Sequence, residues 1–290
     1  MMKKALSFLL AAILMISCSA CGLVASKTST ASQTTASAKT DDSWSKVQKE
    51  GTLILGLDNE FPPMGFVDTK TGKLVGCDID LATEACKRLG ITLKTQAINW
   101  DNKTAELNNG NIDCLWNGFS KTDERDKEFN LSIPYMKNHQ IILIKSGSNY
   151  KGLNSLAGKT IGVQAKSSAE TALSDTANAT FKKSLKEVVS IGDYSKAVLE
   201  IQNGTIDAIA IDEIVARYYL KNNPGAYSIL QDANGADASL AIEDYVVGFR
   251  KADSALKEKI EGALKAMAKD GTMATISKKW FEEDVTTVSK

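Results

Sequence analysis

The chain says one phrase twice. Residues 99–118 read NWDNKTAELNNGNIDCLWNG, and residues 193–212 read DYSKAVLEIQNGTIDAIAID. At a constant offset of 94, Trp100 matches Tyr194, Glu106 matches Glu200, Asn109-Gly110 matches Asn203-Gly204, and Ile112-Asp113 matches Ile206-Asp207. Each copy has the apolar spacing of an amphipathic helix, then an Asn-Gly stop, then a short apolar strand. The first strand runs into Asn117-Gly118-Phe119-Ser120 and the second into Asp212. Such a chain folds as two similar halves, each aiming a strand end and its polar groups at a shared cleft.

The segments around the repeat fit that plan. Leu53 to Leu57 is an apolar run that predicts a buried strand, and Pro62-Pro63 force a loop after it because proline offers no N–H to a sheet. Asp78 is expected to cap a helix through about Arg88, with Gly90 as its stop, and Ile91 to Ala97 alternates as a strand. Thr122-Asp123 predicts the start of a short helix containing Arg125. Ile141 to Ile144 and Gly158 to Val163 read as strands, and Ser167 or Ser168 with Glu170 marks a helix start. A helix from Glu213 to about Leu220, a strand over Tyr245–Phe249 and helices over Asp253–Ala268 and Thr272–Trp280 complete the chain. Strands alternating with helices predict parallel sheets covered by helices, with a binding crevice beyond the carboxyl ends of the strands.

Composition narrows the function. Lys plus Arg and Asp plus Glu are 35 each in 290 residues, so no basic excess points to nucleic acid. A single histidine, His139, argues against His-based catalysis and against a multi-His metal site. His139 itself reads as a strand or hinge residue. Cys77, Cys86 and Cys114 lack CxxC spacing and are expected as plain core thiols rather than metal ligands. No cofactor is expected, and no P-loop is present.

The N-terminus reads as a targeting segment. Lys3-Lys4 precedes an apolar run from Ala5 to Ile16 that is too short for a mature membrane span. Ser19-Ala20-Cys21 resembles a bacterial lipobox, which implies a signal peptide over 1–20 and lipid attachment at Cys21. Cys18 stands where that motif usually has leucine and is itself the alternative attachment site. Of the 15 residues from Ser26 to Thr40, 12 are Ser, Thr or Ala. Such a stretch buries too little apolar area to offset its ordering entropy. Residues 21–43 therefore read as a flexible tether with a reach of roughly 25 Å, and the folded part is expected to begin near Trp44.

The runs GLDNEFPPMGF, GCDIDLATEACKRLG, INWDNKTAELNNGNID, CLWNGFSKTDER, SIPYMKNHQ, GKTIGVQAKSSAE, GTIDAIAIDE and VVGFRKAD, in this order, resemble the family 3 extracellular solute-binding proteins, the amino-acid receptors of bacterial ABC importers. The resemblance covers roughly residues 46–284. It implies the type II periplasmic-binding-protein fold, α/β in class, with two lobes joined by two hinge crossovers around a ligand cleft. The first lobe would hold residues 44–140 and the return segment 241–290, the second residues 141–240, with hinges near 136–142 and 240–246. It further implies a lipid-anchored monomer outside the membrane, partnered by a permease and its ATPase.

A free amino acid carries a carboxylate and an ammonium, and both need partners once water is excluded. Arg125 suits the carboxylate because its planar fork matches two oxygens. The Ser120 and Ser168 N–H groups, each at a predicted helix start, would add donors. Asp212, the Gly118 carbonyl and the Ser120 hydroxyl would take the ammonium, beside Asn117. These positions match the family's main-chain-recognising residues, and its side-chain pocket maps to Asp58, Phe61, Trp100 and Gln164, which hints at a polar or basic amino acid. Lys166 departs from the family pattern and reads as exposed, the alternative being a cation near the cleft that favours a second ligand carboxylate. Without the resemblance, Arg125 is equally a surface residue paired with Asp126 or Glu128, and Asp212 equally a cap for the following helix. Arg88, Arg217 and Arg250 read as solvated. The rival reading is an enzyme on the same scaffold, related to cyclohexadienyl dehydratase, with Glu60 or Asp58 as acid. A sensory domain feeding a kinase or channel is a third.

Overall fold

The computed structural model describes residues 41–289. The signal segment, Cys21 and the tether through residue 40 lie outside them. The folded region starts slightly before Trp44. Asp41 Oδ2 accepts from the Ala255 N–H at 2.6 Å and Ser43 Oγ from the Leu256 N–H at 3.1 Å. Both acceptors satisfy orphan donors at the start of the helix Ser254–Asp270, so the end of the expected tether is tied into the fold.

Eight strands form the path of the main sheet: β1 (Thr52–Leu57), β2 (Thr92–Ala97), β3 (Cys114–Ser120), β4 (Met136–Lys145), β5 (Thr160–Gln164), β6 (Glu187–Ile191), β7 (Ala208–Asp212) and β8 (Ser239–Phe249). Their order is β6-β5-β7-β4-β8-β3-β1-β2. Pairing is parallel within β3-β1-β2 and within β6-β5-β7, as the alternation predicts. The expectation of purely parallel sheets fails in the middle. There β4 and β8 run antiparallel to each other and to their outer neighbours β7 and β3. Both are longer than the apolar runs Ile141–Ile144 and Tyr245–Phe249 suggest, because their polar ends pair with one another. Tyr245 faces Met136, and Glu243 faces Asn138. The two expected hinge segments thus lie side by side as a ribbon.

The repeated phrase folds the same way twice. The helices Lys103–Asn108 and Tyr194–Asn203 both run into a glycine in left-handed backbone, Gly110 at φ 76° one residue past the Asn109 cap and Gly204 at φ 75° as the cap itself. The aspartates that follow then perform one task. Asp113 gives its N–H to the Ile54 carbonyl and takes the Ile54 N–H on its carboxylate; Asp207 does both to Thr160. Each aspartate thereby anchors its strand to the neighbouring parallel strand. Ile112 and Ile206 occupy the same relation to Gly56 and Gly162, where a Cβ would collide with the isoleucine tip. β3, β5 and β7 are buried along their whole length, as strands covered by helices on both faces must be.

Several local readings change. Asp78 lies in the first turn of the helix Cys77–Leu89 but makes no cap bond. Its fully buried carboxylate takes the Gly118 N–H at 2.6 Å and the Tyr135 hydroxyl at 2.8 Å. Tertiary partners have replaced the local one. Arg250 and Arg88 are half-buried rather than solvated. Arg250 donates to the Leu107 and Ile112 carbonyls and pairs with Asp253 at 2.7 Å, closing the loose end of the first repeat. Arg88 joins Glu84 and Asp270. Arg217 is exposed, as expected. Cys77, Cys86 and Cys114 are buried free thiols, and burial pushes all three up, Cys86 to about 12.

Candidate functional site

The carboxyl ends of four strands meet where the two halves of the sheet face each other. Asp58 follows β1, Ser120 ends β3, Gln164 ends β5 and Asp212 ends β7. Of the expected site residues, Phe61, Trp100, Asn117, Gly118, Arg125, Gln164, Ser168 and Asp212 line one small cavity, together with Ser167. Asp58 and Ser120 stand just behind the wall. Asp58 Oδ2 accepts from Gln164 Nε2 at 2.6 Å, and the Ser120 hydroxyl meets that of Ser168 at 3.1 Å. The ten residues are therefore brought together.

Two buried ionisable groups in this cavity, Arg125 and Asp212, form no ion pair among the described residues and feel each other only at longer range. Arg125 is 7% exposed and donates only to carbonyls, Ser120 at 2.8 Å and Lys166 at 3.4 Å, with the Phe119 ring 4.3 Å beneath it. It pairs with neither Asp126 nor Glu128, which removes the surface alternative. Asp212 is 2% exposed. Its Oδ1 takes three neutral donors: Asn138 Nδ2 at 2.7 Å, Gln140 Nε2 at 2.9 Å and the Tyr245 hydroxyl at 2.8 Å. It precedes the helix Glu213–Asn222 without a side-chain cap bond, so capping does not employ it. Burial, followed by the neighbouring Glu243 carboxylate, pushes the Asp212 acid upward. Burial likewise raises Asp58 to about 6, despite the bonds from the Glu60 N–H and Gln164.

One expected donor is placed differently. Ser168 begins a helix, Ser168–Ser174, behind a Ser167 cap. Ser120 does not. The helix beyond it starts at Asp123 with a Thr122 cap, because Lys121 continues the strand pairing through its N–H to Asp244. Gly118 needs its glycine twice over. Its φ is 53°, and a Cβ would stand 2.8 Å from the Phe61 ring and 3.1 Å from Tyr245.

Sequence reasoning missed four contributors. Asn138, Gln140 and Glu243 surround Asp212 from the central ribbon, with Gln140 Nε2 bonding Asp212 and Glu243 at 2.9 Å each. Lys103 is 5% exposed and reaches the Lys166 carbonyl of the other half at 2.9 Å. One signal was available for a fifth: Tyr194 occupies the place of Trp100 in the second repeat, and it packs on Phe61 at 5.8 Å between ring centres. His139 is a strand residue paired with Glu213 at 3.2 Å, and Lys166 is exposed, both as expected. A wider groove of ≈ 370 Å³, bordered by His139, Arg217, Tyr218 and Trp280, contains basic groups that are already paired.

This architecture, with a two-stranded ribbon between α/β halves and opposed strand ends around a buried cavity, is the type II fold of the periplasmic amino-acid-binding proteins. The chain belongs to the bacterial extracellular solute-binding proteins, family 3, whose profile matches residues 53–283. It is 30% identical to the L-cystine-binding protein TcyA of Bacillus subtilis, over 98% of this chain and 99% of that protein. It is 29% identical to the arginine-binding extracellular protein ArtP of the same organism, over 97% and 98% of the two chains. Among solved structures, a substrate-binding protein of an ABC uptake transporter from Streptococcus pneumoniae, with bound histidine, superposes with a TM-score of 0.80 at 38% identity, covering 86% of this chain and all of that one.

Proposed function

We propose that this chain is the substrate-binding component of an ABC importer and that it takes a free polar or basic amino acid into the cavity between its halves. The observation that carries the reading is a buried Arg125 and a buried Asp212 in one cavity, neither of which forms an ion pair among the described residues. A guanidinium and a carboxylate that line one cavity, each with neutral partners only, are complementary to the carboxylate and ammonium of a zwitterion. Asp58, with Glu60 and Asp193 adding like charge nearby, makes the far end of the site acidic. That favours a side chain carrying a cation or several hydrogen-bond donors. The relatives named for cystine, arginine and histidine fall in this class.

In this reading the halves are lobes, 44–140 with 241–290 against 141–240, and the central ribbon is their hinge. Amino acid that touches both lobes only in the closed form shifts the population toward closure. Cys21 carries the lipid, the tether holds a monomeric receptor beside its permease, and the chain performs no catalysis. Among the described residues no helix is long and apolar enough to cross a membrane. Calorimetry against the twenty amino acids with ornithine and cystine tests the function. Binding of one or a few members, lost in Arg125→Ala, is expected. Absence of binding across the panel defeats it.

A further inference from the structure

We propose that Lys103 is a positioning residue that latches the lobes shut by holding the binding loop of lobe two through the Lys166 carbonyl. The inference rests on the amino-acid-binding role proposed above and adds to it a residue outside the cavity wall. Lys103 opens the helix of the first repeat in lobe one and is buried, yet no carboxylate lies within ion-pair distance of it among the described residues. Its ammonium donates to two carbonyls, Trp100 in its own lobe at 3.3 Å and Lys166 in lobe two at 2.9 Å, and it lies 5.1 Å from the centre of the Trp100 ring.

The acceptor is specially presented. Lys166 is one of two non-glycine residues with positive φ among those described, at 52°. Its N–H is fixed by the Glu170 carboxylate at 2.8 Å. This backbone turn aims the carbonyl across the cleft, where Arg125 also reaches it at 3.4 Å. Residue 166 sits between Gln164 and the Ser167-Ser168 pair, all of which line the cavity. Fixing its carbonyl therefore fixes the face that lobe two offers to the amino acid. The Lys166 ammonium returns the contact, reaching the Asp101 carbonyl of lobe one at 3.3 Å.

Because Lys103 and Lys166 belong to different lobes, their bond exists only in the closed form. It should slow opening and leave the encounter with the amino acid untouched. Burial, then the neighbouring Arg125 and Lys166 charges, pulls Lys103 down to about 7. The latch is thus an amine close to losing its proton, with donor capacity in either state.

The test compares the mature full chain with Lys103→Met and Lys103→Arg by stopped-flow tryptophan fluorescence, using L-arginine, L-histidine and L-cystine. A hydrogen bond from a charged donor leads us to expect release about tenfold faster or more in Lys103→Met. Association should stay within threefold, and so should release from Lys103→Arg. Both variants should still melt cooperatively without ligand, which shows that they fold, while the closed fraction of the ligand-free population falls in Lys103→Met. Unchanged release, a loss confined to association, or failure of arginine to restore the rate overturns the latch. If none of the three probes binds the unaltered chain, the proposed function has failed for them. The latch is then read from ligand-free protein by small-angle X-ray scattering. Lys103→Met must be more open than the unaltered chain, and equal dimensions overturn the proposal.

Discussion

Across the cleft, the Gln164 amide donates to the Asp58 carboxylate at 2.6 Å, joining the end of β5 to the end of β1. This bond occupies the carboxylate at the far end of the site, where a bound side chain would point. A cationic side chain that reaches Asp58 replaces a neutral donor with a charged one and turns the contact into a buried ion pair, whose truncation costs about 2–5 kcal/mol. Asp58→Asn should therefore weaken arginine, lysine, ornithine or histidine by at least about 30-fold, which is ~2 kcal/mol. Neutral polar amino acids should change by less than about threefold. Calorimetry on the variant with both classes decides, and equal losses would remove Asp58 from side-chain selection.

Arg125 stacks on Phe119 and spends its known bonds on carbonyls, which leaves the rest of its planar fork for an incoming carboxylate. Truncating one member of a buried, hydrogen-bonded charge pair costs about 2–5 kcal/mol. Arg125→Lys keeps the charge but loses the fork. We expect it to recover only part of that loss, with affinity still at least about tenfold below the unaltered chain. Full recovery by lysine would mean that charge alone, and no bidentate geometry, holds the carboxylate.

The strand ends were legible because the repeat marks them. Two copies of one helix-stop-strand unit put Gly118 and Asp212 at equivalent ends, and Asp113 and Asp207 turn out to anchor the strands in the same way. What escaped was set by partners distant in sequence. Asp78 looks like a helix cap because local spacing allows it, yet Gly118 and Tyr135 claim its carboxylate. Glu243 sits in a stretch with little apolar pattern and acquires its place from the register of β8 against β4. Lys103 carries no signal in the sequence, and its place comes from the Lys166 carbonyl, 63 residues on.

Asp78 has a consequence for stability. Burial raises it to about 7, against which the bonds from Gly118 and Tyr135 work only in part. An acid whose folded value exceeds its unfolded value near 4 contributes stability that is complete below the unfolded value and is lost as pH rises through the folded one. Ligand-free protein should accordingly lose stability between about pH 4 and 7, by on the order of a few kcal/mol. Asp78→Asn should flatten that decline, most clearly at about pH 5–6. Urea denaturation across this range measures it, and a parallel slope in the variant would contradict the assignment.

The same physics at Asp212 couples amino-acid binding to protons. Asp212 and Glu243 share the Gln140 amide at 2.9 Å each, and the like charge adds to burial in raising Asp212. Near neutral pH Asp212 in the free site therefore holds part of a proton and is only partly ionised. An incoming ammonium favours the ionised carboxylate and expels that proton. Affinity should then rise with pH from about 6 to 8, below the range in which the ammonium itself titrates. Calorimetry at pH 7 in buffers of different ionisation enthalpy should register proton release. Glu243→Gln leaves Gln140 and Asn138 in place but removes the like charge, so the Asp212 acid falls while burial, the larger cause, still holds it up. The released fraction should drop while binding persists. If release is the same in Glu243→Gln, the proton comes from another group, and Lys103, pulled down to about 7 on the other side of the site, is the next to substitute.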